Sequence, residues 1–318
     1  MNYFAWQPGV NAPAEYPMEI YRAYFYHNDD IMGIPSGVIC ETGWGEDGMN
    51  MMTSHQIPNG LKITYLSFVE NKFFTGDFAL QEDTILALFQ KGYMRFNTKE
   101  WDTYSSIIVN MAPGGMVVVW LSGGEGYQVE IGRYQAEETQ VNWMDFNPTG
   151  MQDKNRYISE TLNESTKAVK NLKEKGIQYD LYDRYRVKHT WRVKMYLPEG
   201  FKINDIGYKM FNGEQETLFD ANLKENEFLQ RAVPKFIDVV WYDASHIKHG
   251  ASIYFEGNEI FEAFEQIYKK DPDAEMEILL KMNVADHTFD IFLQTATEEI
   301  QIEQARVRMY SINKKFQD

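Results

Sequence analysis

Residues 63–90, ITYLSFVENKFFTGDFALQEDTILALFQ, and residues 237–266, IDVVWYDASHIKHGASIYFEGNEIFEAFEQ, read as two versions of one unit. Ile63 aligns with Ile237, Gly76 with Gly250, Ile85 with Ile260 and Phe89 with Phe264, at a nearly constant separation. Each stretch holds two runs rich in β-branched and aromatic residues, the composition of strands, and then apolar residues at helical spacing. A turn around Glu70-Asn71 makes the first two runs a hairpin. In the helix that follows, Glu82 and Asp83 suit the positive N-terminal end and Gly92 ends the run. Asn258 is the expected N-cap of the second helix.

Outward from these stretches the correspondence continues. Val119-Trp120-Leu121 faces Ile291-Phe292-Leu293, while Gln128-Val129-Glu130 with Arg133 faces Gln301-Ile302-Glu303 with Arg306. Blocks repeated in the same order predict an internal duplication. Aromatic-rich runs at 16–26 and 190–197 are the expected opening strands of the two copies. Further strands are expected at 105–111, 116–121 and 128–136, turning at Pro113-Gly114-Gly115 and at 122–126. The alternation of Val129 and Ile131 with Gln128 and Glu130 predicts one solvated face on the last of them. Between the copies, Ile158, Leu162, Val169 and Leu172 form a narrow apolar stripe on a charged helix closed by Gly176. The expected fold is α+β. Two related domains, 1–150 and 187–318, each a mostly antiparallel β-sheet with one packed helix, flank a helical spacer at 151–186.

The chain has 318 residues, with 47 Asp+Glu against 31 Lys+Arg and a formal net charge of −16. Residues 1–150 carry 18 acidic and 7 basic side chains, so most of the surplus belongs to the first copy. Such a surface repels phosphate, which argues against nucleic acid and for a partner with a basic surface. No apolar run reaches the ~18 residues of a membrane span. The first twenty residues lack the basic and apolar regions of a signal peptide, so a cytoplasmic location is expected, with a periplasmic lipoprotein the alternative if a signal peptide has been removed. One cysteine, Cys40, and six histidines leave no disulfide framework and predict neither a metal nor another cofactor.

The chemical motifs read mostly as structure. LSGGEGYQ at 121–128 lacks the Lys-Ser/Thr of a phosphate loop and precedes a strand, so it is expected to be a tight hairpin. His246 and His249 are three apart but have no third ligand nearby. Ser36 and Ser122 lack a G-x-S-x-G elbow. The acidic pairs Asp29-Asp30, Glu46-Asp47, Glu82-Asp83 and Glu137-Glu138 are what a chain of this charge carries on its solvated surface. A non-enzymatic protein is therefore expected. More informative is TGWGEDGMNMMTSHQ at 42–56, which has no Trp/Met counterpart in the second copy. Tryptophan anchors interfaces and methionine adapts to irregular ones, so Trp44 and Met49 are expected to meet a protein partner. Glu46 and Asp47 are expected to meet its basic groups, with Glu125 on the hairpin tip as a rim contact. An alternative expectation is a small molecule or glycan held between the two lobes by Trp101, Trp143 and Tyr127.

Several phrases of the first copy carry a resemblance. APAEYPMEI at 12–20, IPSGVI at 34–39, GWGEDG at 43–48, KFFTGDFAL at 72–80, ILALFQKGY at 85–93, MAPGGMVVVWLSGG at 111–124 and VEIGRYQAEE at 129–138 resemble a bacterial domain of unknown function, number twenty-nine thirty-one. The resemblance covers about residues 3–150 strongly and the rest weakly. These motifs are turns, a helix and apolar strands, and carry no chemistry of their own. The resemblance implies a Bacteroidetes or proteobacterial source and a gene neighbourhood of type VI secretion effectors, lipases in particular. It therefore implies an immunity-type inhibitor that binds and neutralises such an effector.

Overall fold

The computed structural model describes residues 4–50, 53–124, 126–284 and 287–312. Two compact units divide the chain, Met1–Tyr182 and Asp183–Asp318. Strands of the first unit are β1 (Gln7–Asn11), β2 (Met18–His27), β3 (Asp30–Gly33), β4 (Ile39–Cys40), β5 (Met49–Asn50), β6 (Gly60–Ser67), β7 (Lys72–Ala79), β8 (Tyr93–Met94), β9 (Trp101–Asp102), β10 (Ser106–Ala112), β11 (Met116–Ser122), β12 (Gln128–Gln135) and β13 (Glu137–Thr139). Its helices are α1 (Glu82–Lys91), α2 (Trp143–Phe146), α3 (Lys154–Glu164) and α4 (Thr166–Glu174), with α5 (Leu181–Tyr185) at the boundary. The second unit holds β14 (Lys188–Tyr196), β15 (Lys202–Met210), β16 (Gln215–Phe219), β17 (Leu229–Ala232), β18 (Pro234–Tyr242), β19 (Lys248–Tyr254), β20 (Met276–Asn283), β21 (Thr288–Gln294), β22 (Glu299–Ile302) and β23 (Arg306–Ser311), with helices α6 (Asp220–Glu225) and α7 (Gly257–Lys270).

Both units are mostly β, with antiparallel sheets and few helices. In the first, one set of strands runs β13-β7-β6-β2-β3, with β4 beside β2, and a second runs β12-β11-β10-β1-β5. In the second unit the sets run β23-β19-β18-β15-β16 and β17-β14-β20-β21-β22. Among the described residues two pairings are parallel, β1 with β10 and β14 with β20. The two five-strand orders of each unit correspond, while β4, β8 and β9 of the first unit have no counterpart in the second. By that correspondence the strand predicted at 16–26 matches β15, whereas the strand predicted at 190–197 is β14 and matches β1.

The hairpin-plus-helix stretches form as their composition predicts, but with one shift of register. Ile63 faces Gly76 across β6 and β7, whereas Ile237 faces Ile253 and Gly250 lies opposite Val240. The second hairpin is longer at its turn, so the two glycines are not equivalent positions. Equivalent positions are marked by side-chain bonds instead: Thr64 to Thr75 at 2.8 Å, and Ser252 to Asp238 at 2.8 Å. Helix α7 starts at Gly257 with Glu256 as its cap, whose carboxylate accepts the Glu259 N–H at 2.9 Å, so Asn258 lies inside the first turn. Its Ile260, Phe261, Phe264 and Ile267 are buried in the core of the second unit beside Trp191, Tyr208 and Leu280. Each such side chain removed from water contributes about 1.5–3 kcal/mol.

The segment predicted as one helical spacer is two helices broken at Ser165, whose ψ of 88° is not helical. The break turns the stripe, so Ala168 is buried and Val169 exposed. Gly176 closes α4 with a φ of +70°, as expected. Ile158 joins Leu66, Phe68 and Phe73 in a cluster of the first unit. Two tyrosines fix the helices to that unit. Tyr16 donates to the Gly176 carbonyl at 3.3 Å and accepts the Gln178 N–H at 3.0 Å, and Tyr157 donates to Glu19 Oε2 at 2.7 Å. Glu19 is buried on β2, and loss of water raises its pKa although the Tyr157 bond lowers it.

A group whose folded-state pKa is raised contributes stability below its unfolded pKa and loses it as pH rises. Glu19→Gln keeps an acceptor for Tyr157 and removes the buried charge. The variant is therefore expected to gain stability relative to the parent as pH rises from about 4 to 7.5, the unfolded carboxyl titrating near 4.3. Urea midpoints of both proteins across that range check this; a relative loss on raising the pH is the contrary result.

Candidate functional site

The loop carrying GWGEDG is built on amides buried beneath it. Asn11 ends β1, and Asn110 lies beside it in the parallel register with β10, inside the apolar run SIIVNMA. Both are fully buried, and an amide in such a run is tolerated only where its hydrogen bonds are made. Asn110 Oδ1 accepts the Gly45 N–H at 2.7 Å and its Nδ2 donates to the Glu46 carbonyl at 3.5 Å. Asn11 Nδ2 donates to the same carbonyl at 3.3 Å and to the Thr42 hydroxyl, while its Oδ1 accepts the Ala12 and Thr42 N–H groups. Gln128, at the start of β12, donates to the Gly45 carbonyl at 2.6 Å. Three amides from three strands thus hold the backbone of residues 42–46 at Thr42, Gly45 and Glu46. Gly48 has a φ of +64°, and a Cβ there would meet the Val10 carbonyl oxygen at 2.1 Å, so only glycine fits.

Trp44 points inward. Its ring stands edge-on to Trp120 at 5.0 Å and lies 4.4 Å from Tyr182. The indole N–H groups of Trp44 and Trp120 are both buried without a hydrogen-bond partner among the described residues. Glu46 and Asp47 face solvent on the other side of the loop. The Asp47 carboxyl lies close enough to the sheet that loss of water raises its pKa, a bond to Ser122 lowers it, and Glu46 raises it again. Met49 contributes backbone to β5 opposite Val10, while its side chain and Glu125 lie outside the described residues. The loop therefore brings Glu46 and Asp47 together at the surface and packs Trp44 beneath them. Asn11, Asn110 and Gln128 were missed by the sequence reading; the signal was an amide inside an otherwise apolar strand. Gln128 in particular is buried, because the loop covers the face that alternation assigns to water.

The aromatic residues of the alternative reading fall into separate places. Tyr127 stacks on Tyr93 at 4.3 Å. Trp101 is 65% exposed and donates to the Lys91 carbonyl at 3.0 Å. Trp143 packs on Phe146 and Tyr157 and donates to the Met151 carbonyl at 2.8 Å. In the second unit His249 Nε2 meets Asp243 Oδ2 at 2.9 Å, and Ser311 Oγ lies 3.4 Å from His249 Nδ1. The Asp243 carboxylate also accepts the Ser245 and Ile247 N–H groups, and these bonds, the His249 contact first, lower its pKa. This is a knot that closes the β18–β19 turn. His246 sits in that turn with a φ of +60°. Among the described residues no group of three or more His, Cys, Asp or Glu side chains is placed to hold a metal.

The family model for proteins of unknown function designated DUF2931 matches residues 1–180, nearly the whole of the first unit. No curated protein and no solved structure matches the chain.

Asn110→Ala should destabilise the first unit by about 1–3 kcal/mol, the cost of leaving buried groups unpaired. It should also raise amide exchange at Gly45 selectively. Hydrogen exchange with urea unfolding checks both, and an unchanged Gly45 rate would mean that the amide does not hold the loop.

Proposed function

The chain belongs to the DUF2931 family of proteins of unknown function, and within it we propose that this member is a non-enzymatic binding protein, capturing a protein partner with a basic surface through residues 42–48. The observation that carries this reading is the strapped loop: buried Asn11, Asn110 and Gln128 fix its backbone while Glu46 and Asp47 are exposed residues at the surface, the Asp47 carboxyl held against Ser122. Backbone fixed before binding is not ordered at the partner's expense, which raises affinity. Two exposed carboxylates on an acidic unit steer a basic partner and accelerate capture. Both properties suit an immunity-type inhibitor that must neutralise a secreted effector, a type VI secretion lipase being the instance the family's neighbourhood favours. Trp44 serves as the support under the two acids, a role different from the apolar anchor expected of it.

We also infer that the two units descend from one by duplication. The matching order of ten strands in each unit, the single parallel pair at the same place in each, and the helix before it support this reading. On that basis the second unit is a diverged copy that the family model does not reach.

Glu46→Gln with Asp47→Asn leaves the loop backbone and Trp44 in place. Against the product of the adjacent gene, this double variant should associate roughly tenfold more slowly at low salt and dissociate at nearly the parent rate. Biolayer interferometry at low and high ionic strength measures it. Association that is unchanged and equally salt-dependent would remove this loop from the interface.

A further inference from the structure

Corresponding places in the two units hold different kinds of ring. Trp120 matches Phe292, and the ladders set Ile108 opposite Trp120 and Leu279 opposite Phe292. Carried across the parallel pairs, that register places Gln7 on Arg192, Trp6 on Trp191 and Phe4 on His189. Both tryptophans are buried. Phe4 stacks on Phe89 of α1 with centroids 5.2 Å apart, and His189 lies 5.2 Å from Phe264 of α7, the residue that matches Phe89. One contact is thus made by a phenyl ring in the first unit and by a titratable imidazole in the second.

The place built for His189 suits only its neutral form. The residue is 4% exposed, packed on Phe264 and covered edge-on by Tyr268 at 5.1 Å. Its Nδ1 is buried with no hydrogen-bond partner among the described residues. A neutral ring leaves a bare lone pair there, whereas a protonated ring would bury a charge and an N–H without an acceptor. The charged neighbours do not provide for that proton. From α7 the titratable groups are Glu265 and the Tyr268 phenol; Glu265 favours a charged ring, but Arg184 already engages its carboxylate at 2.6 Å. Arg231 of β17, opposite His189 in the ladder, is a cation held by Glu216 at 2.7 and 3.1 Å. Lys188 is drawn to Glu214 at 2.9 Å and Lys270 to Glu298 at 2.6 Å, while Lys269 is exposed. Loss of water outweighs Glu265 and lowers the His189 pKa from its ordinary value.

The residues before His189 lie along the same helix. The Arg184 guanidinium stands 4.6 Å over the Phe261 ring, and Tyr185 stacks on that ring at 5.4 Å. Segment 184–189 is therefore held on α7 at Phe261, Glu265 and Phe264. Of the three side chains that hold it, only the histidine changes charge between neutral and mildly acidic pH.

We propose that His189 is an acid-operated latch: a proton on its ring releases segment 184–189 from α7, so that this end of the second unit opens progressively below about pH 6.5 and closes again at neutral pH. The sign follows from burial. A histidine whose folded-state pKa lies below its unfolded value, near 6.5, contributes stability above that value and loses it as pH falls. Once open, the ring meets water and takes the proton that the closed place refuses. That one proton favours the open form by about tenfold between pH 7.5 and 5.5. Phe4 has no such response, so acid acts on the second unit's version of the contact. This inference does not rest on the first unit's loop.

Amide exchange of the full chain from about pH 7.5 to 5, corrected for the intrinsic effect of pH on exchange, is the test. Protection at residues 188–191 should be lower than at 237–241 of β18, should fall roughly tenfold between pH 7.5 and 5.5, and should recover on return. Residues 63–66 of β6 should show no such fall. His189→Phe, which copies the ring of the first unit, should make protection at 188–191 independent of pH. In the parent, the carbon-bound protons of the His189 ring should titrate in NMR spectra with a midpoint below 6.5. Protection at 188–191 that ignores pH, or that equals the protection at 237–241, overturns the latch. So does an undiminished pH dependence in His189→Phe, or a ring midpoint at or above 6.5. Should His189→Phe fail to fold, the parent's exchange and ring titration still decide.

Discussion

In each unit the first strand hydrogen-bonds in parallel with a strand beyond the helix that follows the hairpin, β1 with β10 and β14 with β20. Parallel neighbours cannot be joined by a tight turn, so the chain must leave the sheet, travel and return. Here the excursion is a whole second sheet and a helix. Every other feature hangs on that pairing. Asn11 and Asn110 meet only because the parallel register sets β1 against β10, and their side chains then reach the loop at 42–48, which lies within the excursion after β4. In the second unit Trp191 to Tyr196 pair with Met276 to Lys281, which brings Arg192 and Lys194 beside Glu277. A slip of one residue along either ladder would turn every side chain to the other face and dismantle both arrangements.

What could be read in the sequence was local. The hairpins β6–β7 and β18–β19, the helices α1 and α7, and the glycine turns are specified within a few residues of themselves, and they form close to where composition and period put them. Longer-range readings fared less evenly. Matching Gly76 to Gly250 assumed turns of equal length, whereas the second turn is longer and the register is set by Thr64–Thr75 and Asp238–Ser252. Reading 151–176 as one helix followed the apolar stripe through Ser165, whose backbone leaves the helix while Tyr16 and Tyr157 hold the pieces. Neither parallel pair has a signal in sequence, since strand partners that distant are chosen by tertiary packing.

The site was half legible for the same reason. Glu46 and Asp47 reach the surface as their chemistry requires, and two adjacent acids between glycines are readable without a structure. The expectation that Trp44 anchors a partner rests on the frequency of tryptophan at interfaces. Its place is decided instead by Trp120 and Tyr182, residues far away in sequence. Gln128 was assigned to water by strict alternation on β12. That rule holds for a sheet whose outer face is bare, and the loop covers this one.

Shared topology with unlike filling carries the last step. Where an aromatic hairpin closes the first unit, Tyr93 on Tyr127 removes apolar surface from water and leaves the exposed loop acids as the unit's available charge. Where that hairpin is missing in the second unit, the corresponding end is lined by carboxylates, of which Glu277 and Glu298 are engaged by the chain's own side chains. Closing an end of a sheet with the chain's own rings contributes stability and gives up a site; leaving it open reverses the exchange. The two units resolve that choice in opposite directions, the first with the β8–β9 hairpin and the second with the short connection at 271–275. The parallel pair that sets the frame is common to both units, and what fills the end of that frame differs between them.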